Sequence, residues 1–221
     1  MGHVGSLLHN DEYRARPEPV LLTLGPASYL EIEGKGAPRG PGVEAAARLL
    51  LALGKRVHAM KSAAGADFAP PFLEARYWPR AGRGSHQGRW QLLLRMPESV
   101  RQGDVRAARL ALRGDRARAA DVRLVRFVEG ACLQALFSRG ARDPPQALIE
   151  AARARMLDPA GPRHEIYLGR AAGLGAATEL IVRLPVTAPA GPLPGLGPRR
   201  GWRRIRGRGR SGSSRRSDRA P

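Results

Sequence analysis

The sequence is poor in cysteine and contains no long apolar segment. Its single cysteine, Cys132, excludes an intramolecular disulfide and suits a reducing compartment. No segment reaches the roughly 18–20 uncharged apolar residues that a membrane-spanning helix needs. The first residues carry no basic region followed by a long apolar one, so a secretory signal is not indicated. We therefore expect a cytoplasmic protein with no membrane partner.

Motifs for metal ions, nucleotides and serine nucleophiles are also missing. The five histidines show no metal-ligand spacing, and one cysteine cannot complete a zinc site. Gly34 and Gly36 follow a predicted strand, but Arg39 replaces the third glycine of a dinucleotide-binding loop. No G-x-S-x-G nucleophile elbow occurs. The sequence therefore predicts neither a metal nor a cofactor.

Lysine is scarce as well, and arginine carries most of the positive charge. The chain has 3 lysines and 35 arginines, a bias that a GC-rich coding sequence explains. Residues 187–221 hold +9 of the net charge of +19 and are dense in Gly, Pro and Arg. Such a segment cannot bury enough apolar surface to order itself, so we predict a disordered tail. It is either a dispensable extension or a weak, non-specific nucleic-acid contact in which Trp202 stacks on bases.

What remains is a body that repeats one order of secondary-structure elements. Hydrophobic residues make up 43% of the chain, which is enough for a core. The apolar periods predict strand–helix–strand–strand twice, with an extra helix and a short extended segment between the repeats. The predicted elements are strand 28–36, helix 42–61, strands 71–78 and 89–96, the extra helix 97–114, the extended segment 121–129, strand 130–138, helix 143–157 with Asp143 as N-cap, and strands 163–169 and 178–186.

This duplication predicts an α/β (α+β) fold with pseudo-twofold symmetry. We expect a largely antiparallel sheet with helices on one side and a central ligand cleft between the halves. The domain would span residues 20–186, with repeats at about 27–96 and 129–186. An N-terminal extension (1–19) would precede it, and the tail (187–221) would follow.

Acidic and aromatic residues lie close together on three of the predicted strands. Aromatic walls bind flat apolar ligands, and a carboxylate shielded from water among them can recognise a cation or act as a general base. The alternative is that the tryptophans are core residues and the glutamates are solvated. The residues are Glu74, Tyr77 and Trp78 in "LEARYW", Trp90 in "RWQLLLRM", and Glu165 and Tyr167 in "RHEIYLG". Because side chains alternate along a strand, Glu165 and Tyr167 lie on the same strand face.

Five segments in one order resemble the GyrI-like small-molecule-binding proteins. They are "YLEIEGKGAPRGPGVEAAARLLLALGKRVHAMK", "FLEARYW", "GRWQLLLRMPESV", "GACLQALFSRGARDPPQALIEAAR", and "RHEIYLG" followed by "TELIVRLPV". The resemblance covers about residues 20–186. It points to the stand-alone bacterial branch that includes the cyclopropanoid cyclopropyl hydrolases.

The resemblance implies a duplicated fold whose deep pocket between the halves contains Glu165. The family's "LEGLWW"-like segment is "LEARYW" here, so Tyr77 and Trp78 occupy its two aromatic positions and Glu74 precedes them. In the hydrolase branch the substrates are DNA-alkylating natural products of the yatakemycin and duocarmycin type. Their strained cyclopropane reacts with nucleophiles, so the resemblance implies toxin self-resistance or detoxification.

Roles for the six residues follow from the same resemblance. Glu165 would deprotonate a water, and Tyr167 would stabilise the phenolate that forms. The three aromatic residues would hold the planar ligand, with Glu74 beside them. Other GyrI-like domains bind drugs without chemistry, so drug binding or sequestration is the alternative, and gyrase inhibition is a third reading.

Overall fold

The computed structural model describes residues 11–38, 40–78, 88–112, 120–138, 144–169, 174 and 177–188. The predicted tail and the predicted N-cap Asp143 lie outside these residues, apart from the first two tail residues. The elements are a 3-10 turn (Asp11–Tyr13), β1 (Val20–Lys35), α1 (Pro41–Ala63), β2 (Leu73–Trp78), β3 (Arg89–Met96), α2 (Gln102–Ala111), β4 (Arg123–Ser138), α3 (Pro144–Ala154), β5 (Asp158–Pro159), β6 (Arg163–Leu168) and β7 (Glu179–Thr187).

Six of the strands close into an antiparallel barrel. Hydrogen bonding runs in the order β4-β1-β3-β2-β6-β7, and β7 pairs back onto β4. Every one of these pairs is antiparallel. β5 adds only a two-residue pairing with β7. The predicted antiparallel sheet is confirmed, and its closure leaves none of the six as a free edge strand.

The predicted duplication is confirmed by the order and pairing of the elements. β1–α1–β2–β3 forms one half and β4–α3–β6–β7 the other, with α2 between them. In each half the first strand pairs with the last, and the last pairs with the middle one. The halves join through equivalent strands, β1 with β4 and β2 with β6. Pairing of equivalent elements is what a pseudo-twofold arrangement requires.

Strand β4 joins two segments that were predicted to be separate, 121–129 and 130–138. Gly130 lies at their junction with a φ of 76°, a conformation that glycine adopts at little cost. At Gly130 the strand continues, but the alternation of its side chains between the two faces of the sheet is interrupted. Glu129 and Gln134 both contact Arg183, although five residues apart on a regular strand they would point to opposite faces.

Two helices cover the outer face of the barrel and build its cores. α1 buries one apolar stripe that includes Val43, Leu50 and Val57, and it packs on β1 and β3. α3 contributes Leu148 and Ala152 to a second cluster against β4 and β7. The barrel interior is therefore free to hold polar side chains, because apolar burial occurs mainly between strands and helices.

Part of the predicted N-terminal extension packs against the barrel. The Tyr13 hydroxyl donates to a Glu74 carboxylate oxygen at 2.6 Å. The Gln134 side chain donates to the Arg14 carbonyl at 3.2 Å, and the Leu136 N–H donates to the Arg16 carbonyl at 2.7 Å. This segment therefore contributes contacts to the domain that was predicted to begin at residue 20.

Strand β1 begins at Val20, eight residues before the predicted strand 28–36, because residues 20–27 pair with β4. The other boundaries differ from the predictions by up to five residues. The helix predicted over 97–114 is shortened to α2, because the Asp104 carboxylate accepts the Arg101 N–H at 2.8 Å and starts the helix there. The helix predicted over 143–157 ends at Ala154, and Met156 then takes a positive φ of 53°. Within the described residues, no helix combines the length and the apolar character needed to cross a membrane.

Candidate functional site

Glu165 and Tyr167 lie on the same face of β6, as their spacing predicts. The Tyr167 hydroxyl donates to Glu165 Oε2 at 2.6 Å. Arg163 completes this face of the strand, with its Nε 2.7 Å from Glu165 Oε1 in an ion pair that is not aligned as a hydrogen bond. Both oxygens of the Glu165 carboxylate therefore have a partner.

Tyr77 extends this group from the neighbouring strand β2. Its hydroxyl lies 3.1 Å from the Tyr167 hydroxyl and donates to the Pro38 carbonyl at 3.2 Å. Glu165, Tyr167 and Tyr77 are all less than one-tenth exposed. We call these three residues the carboxylate–tyrosine chain, because one continuous set of short contacts links them.

Tyr167, in the middle of the carboxylate–tyrosine chain, and Glu165, at one end, differ in what they can donate or accept. Burial raises the pKa of Tyr167 well above its usual value, and the neighbouring Tyr77 and Glu165 raise that pKa further. Tyr167 therefore keeps its proton at neutral pH and acts as a donor. Glu165 is the only carboxylate among the three residues of the carboxylate–tyrosine chain, so it is the group there that can accept a proton.

Trp90 stands beside Tyr77 on the same outer face. The two are register partners across β2 and β3. The Trp90 indole lies against Gly34, where an added Cβ would fall 2.3 Å from Cζ2 of the ring. Glycine is therefore required at position 34 for Trp90 to lie where it does.

Glu74 and Trp78 lie on the opposite face of β2, toward the barrel interior. Alternation separates them from Tyr77, so the predicted wall of Tyr77, Trp78 and Trp90 does not form. Trp78 instead contacts two guanidinium groups, with Arg89 4.4 Å and Arg76 5.1 Å from its ring centroid. Of the six predicted residues, the structure thus brings together Glu165, Tyr167, Tyr77 and Trp90.

Glu74 belongs to a buried ionic group that the sequence did not predict. His164 Nδ1 lies 2.8 Å from Glu129 Oε1, and its Nε2 lies 2.9 Å from Glu74 Oε2 without the alignment of a hydrogen bond. Arg183 pairs with the second Glu129 oxygen at 3.0 Å. These four residues, called the interior network below, are almost completely buried.

The network holds its charges by mutual pairing. Burial by itself would raise the pKa of Glu129, but His164 and Arg183 outweigh it and lower that pKa to about 2. Burial would likewise lower the pKa of His164, but Glu129 and then Glu74 raise it above its usual value. Glu129 thus lies between His164 and Arg183, and such pairing is how a protein tolerates a buried charge.

The sequence held only a weak signal for this network. His164 precedes Glu165 directly, and alternation turns it to the other strand face. Glu129 and Arg183 lie far from it in the sequence, so no local spacing relates them. Cys132 lies nearby, but burial raises the pKa of its thiol to about 12, so it is not a nucleophile at neutral pH.

Comparison with known proteins locates the fold among solved structures. No protein-family model matches the chain, and no curated protein matches it. An uncharacterized conserved protein from Listeria innocua matches with a TM-score of 0.70 and 24% identity, over 81% of this chain and 97% of that one. Two Listeria innocua structures described as hydrolases match at TM-scores of 0.67 and 0.66, with 24% and 22% identity over 82% and 81% of this chain and 97% of each of theirs. At such identities the likeness shows a shared fold.

Proposed function

We propose that this chain is a hydrolase that adds water to a planar, electrophilic small molecule. The substrate class is a cyclopropane conjugated with a dienone, as in DNA-alkylating products of the yatakemycin and duocarmycin type. The reaction would protect a cell from the alkylator. The single observation that carries this proposal is the carboxylate–tyrosine chain, in which a buried carboxylate accepts a hydrogen bond from Tyr167, whose hydroxyl also contacts that of Tyr77.

The carboxylate–tyrosine chain supports the proposal because it combines a carboxylate base with tyrosine hydroxyl donors, and all three side chains are nearly buried. Glu165 is 7% exposed, and Tyr167 and Tyr77 are 9% and 6% exposed. A shielded site strengthens each electrostatic interaction made with a reacting group. Two similar structures are described as hydrolases, and the proposal extends that class of activity to this chain.

In the proposed reaction Glu165 accepts a proton from water while the water oxygen bonds to the cyclopropane methylene. The ring C–C bond breaks, and its electron pair moves into the dienone to form a phenolate. The proton held by Glu165 then passes to the phenolate oxygen, so the net change is the addition of one water. Release of ring strain and aromatisation drive the step, and the site has mainly to position the reactants.

Tyr167 has a place in this sequence that follows from its hydrogen bond. Before the reaction its hydrogen is donated to Glu165. Once Glu165 has taken up a proton, that hydrogen becomes free to be donated to the phenolate oxygen. The uptake of the proton and the stabilisation of the product charge are thereby coupled in one side chain.

The test is incubation of the purified chain with a yatakemycin-type alkylator, followed by mass spectrometry of the drug. We expect the drug to gain the mass of one water. Glu165→Gln should lower turnover by about 100-fold or more, which is typical for loss of a general base. Glu98→Gln is the matched control, because Glu98 is an exposed glutamate that forms an ion pair with Arg126, and its replacement should leave turnover unchanged. Equal turnover in Glu165→Gln and the unchanged chain contradicts the assignment.

Binding without chemistry is the second candidate, and one observation favours it. Both Glu165 oxygens already have partners, Arg163 and Tyr167, so the carboxylate could serve only to hold a ligand in place. In that case the drug would co-elute with the protein at unchanged mass. The same mass measurement therefore separates the two functions.

A further inference from the structure

A cleft of about 600 Å³ lies against the first half of α1, next to the end of β1. Its size falls within the range of about 300–1,000 Å³ that small-molecule sites occupy. Most of its wall is apolar or small, and charged residues reach it from the strand end, the helix and position 121. The wall includes Ile32, Gly34, Ala46, Leu49, Trp90 and Leu112.

Trp90, which lines this cleft, carries a polar group without a partner among the described residues. The side chain is only 6% exposed, and its indole N–H is buried without a hydrogen-bond partner among the described residues. A buried donor of this kind costs free energy until an acceptor reaches it. Gly36 lies next to it, since a Cβ added there would be 4.0 Å from Nε1. The unpaired N–H is thus near the residue that follows Gly34 and Lys35, which line the cleft.

The cleft is separate from the carboxylate–tyrosine chain. Neither Glu165 nor Tyr167 nor Tyr77 belongs to the described residues that line it. Trp90 lies beside Tyr77 across β2 and β3 and contacts Gly34 of β1. The cleft is therefore on the β1 side of Trp90, whereas Tyr77 and Tyr167 lie on its β2 side.

We propose that this cleft is a second small-molecule site. Its ligand is a compact, largely apolar molecule that carries one hydrogen-bond acceptor, such as a carbonyl oxygen. The apolar body packs on α1 and the Trp90 ring, and the acceptor takes the indole N–H. This site does not depend on the proposed hydrolysis, and its occupancy is measured without that reaction.

The test uses Nile red, a neutral planar dye with a ring carbonyl, in a fluorescence titration of the full chain. Ala45, Ala52 and Ala59 follow one stripe of α1 at seven-residue spacing, and only the first two line the cleft. Ala45→Trp and Ala52→Trp each fill the cleft and should weaken dye binding at least about tenfold. Ala59→Trp, on the same stripe beyond the cleft, should leave binding unchanged.

A second pair of variants tests the unpaired N–H. Trp90→Phe keeps a ring but removes the donor, so we expect about fivefold weaker binding. Trp78→Phe is its matched control, because Trp78 lies on the opposite face of the sheet. Circular dichroism melting confirms that each variant is folded before it is titrated.

Two results would overturn this proposal. One is equal dye affinity in the unchanged chain and in both cleft-filling variants. The other is loss of binding in Glu165→Gln with no loss in Ala45→Trp, which would place the dye at the carboxylate–tyrosine chain. Failure of the drug to gain a water has no bearing on either result, so the two proposals fail separately.

Discussion

His164 and Glu165 are consecutive residues, yet they belong to two regions of very different character. His164 points into the barrel and joins the interior network, where each charge faces an opposite charge. Glu165 points outward to the carboxylate–tyrosine chain, where its ionic partner among the described residues is Arg163, a side chain that is one-third exposed. Its other partner is a neutral hydroxyl.

The difference teaches how one strand can serve stability with one residue and chemistry with the next. A fully buried, fully paired network has no spare proton acceptor, and losing any member leaves an uncompensated charge. The Glu165 carboxylate is held by a neutral hydroxyl and by a guanidinium that is one-third exposed, so water compensates part of the interaction when this carboxylate is changed. Three predictions test whether this contrast holds, in order of the effect expected.

Removal of one charge from the interior network should have the largest effect. Glu129→Gln leaves His164 and Arg183 buried without their shared carboxylate. We expect the free energy of unfolding to fall by about 3–5 kcal/mol, as for other broken buried ion pairs. Urea unfolding followed by circular dichroism measures it.

Two glutamate variants calibrate that measurement. Glu165→Gln should cost about 1 kcal/mol, because its partners are a hydroxyl and a partly solvated arginine. Glu98→Gln, in an exposed pair, should cost less than about 0.5 kcal/mol. Similar losses for Glu129→Gln and Glu165→Gln would remove the contrast between the two regions.

The second-largest effect should be a pH dependence of the free energy of unfolding, caused by Glu129 and His164 of the interior network. The pKa of Glu129 is about 2 in the folded chain against an ordinary value of 4.5, so its contribution is present above pH 4.5 and is lost as pH falls toward 2. That loss is about 3 kcal/mol at roughly 1.4 kcal/mol for each pKa unit. The pKa of His164 is raised, so its contribution is present below pH 6.5 and is lost as pH rises through the folded value.

Urea unfolding at a series of pH values checks this expectation. The stability of the unchanged chain should therefore be greatest between about pH 4.5 and 6.5 from these two groups. Glu129→Gln should lack the acid-side loss. An acid limb of the same size in that variant would show that other carboxylates cause it.

A smaller effect than that of Glu129→Gln is expected for Tyr77 on the outer face. Tyr77→Phe removes one hydroxyl that contacts Tyr167 and Pro38, and a hydrogen bond of this kind contributes about 1 kcal/mol to stability. Tyr167 keeps its hydrogen bond to Glu165, so turnover should fall only a few-fold. Thermal unfolding and the drug assay measure the two quantities. A loss of turnover as large as that of Glu165→Gln would make Tyr77 a direct partner of the substrate.

The accuracy of the sequence predictions varied with how local each feature is. Helix α1 and strand β3 were predicted nearly to the residue, because apolar period and turn residues are encoded within each segment. Strand β4 was predicted as two pieces, since Gly130 reads as a break when its partners across the barrel are unknown. Alternation places Tyr77 and Trp78 on opposite faces of β2, but it does not tell which of the two faces meets the helices.

By itself the sequence determined the order of elements, the duplication, and the shared face of Glu165 and Tyr167. These depend on periods of two or 3.6 residues along one segment. Only the tertiary structure decided that the sheet closes, that Tyr13 reaches Glu74, and that His164 joins Glu129 and Arg183. Such contacts join residues far apart in the chain. They depend on register and barrel closure, which no local pattern encodes.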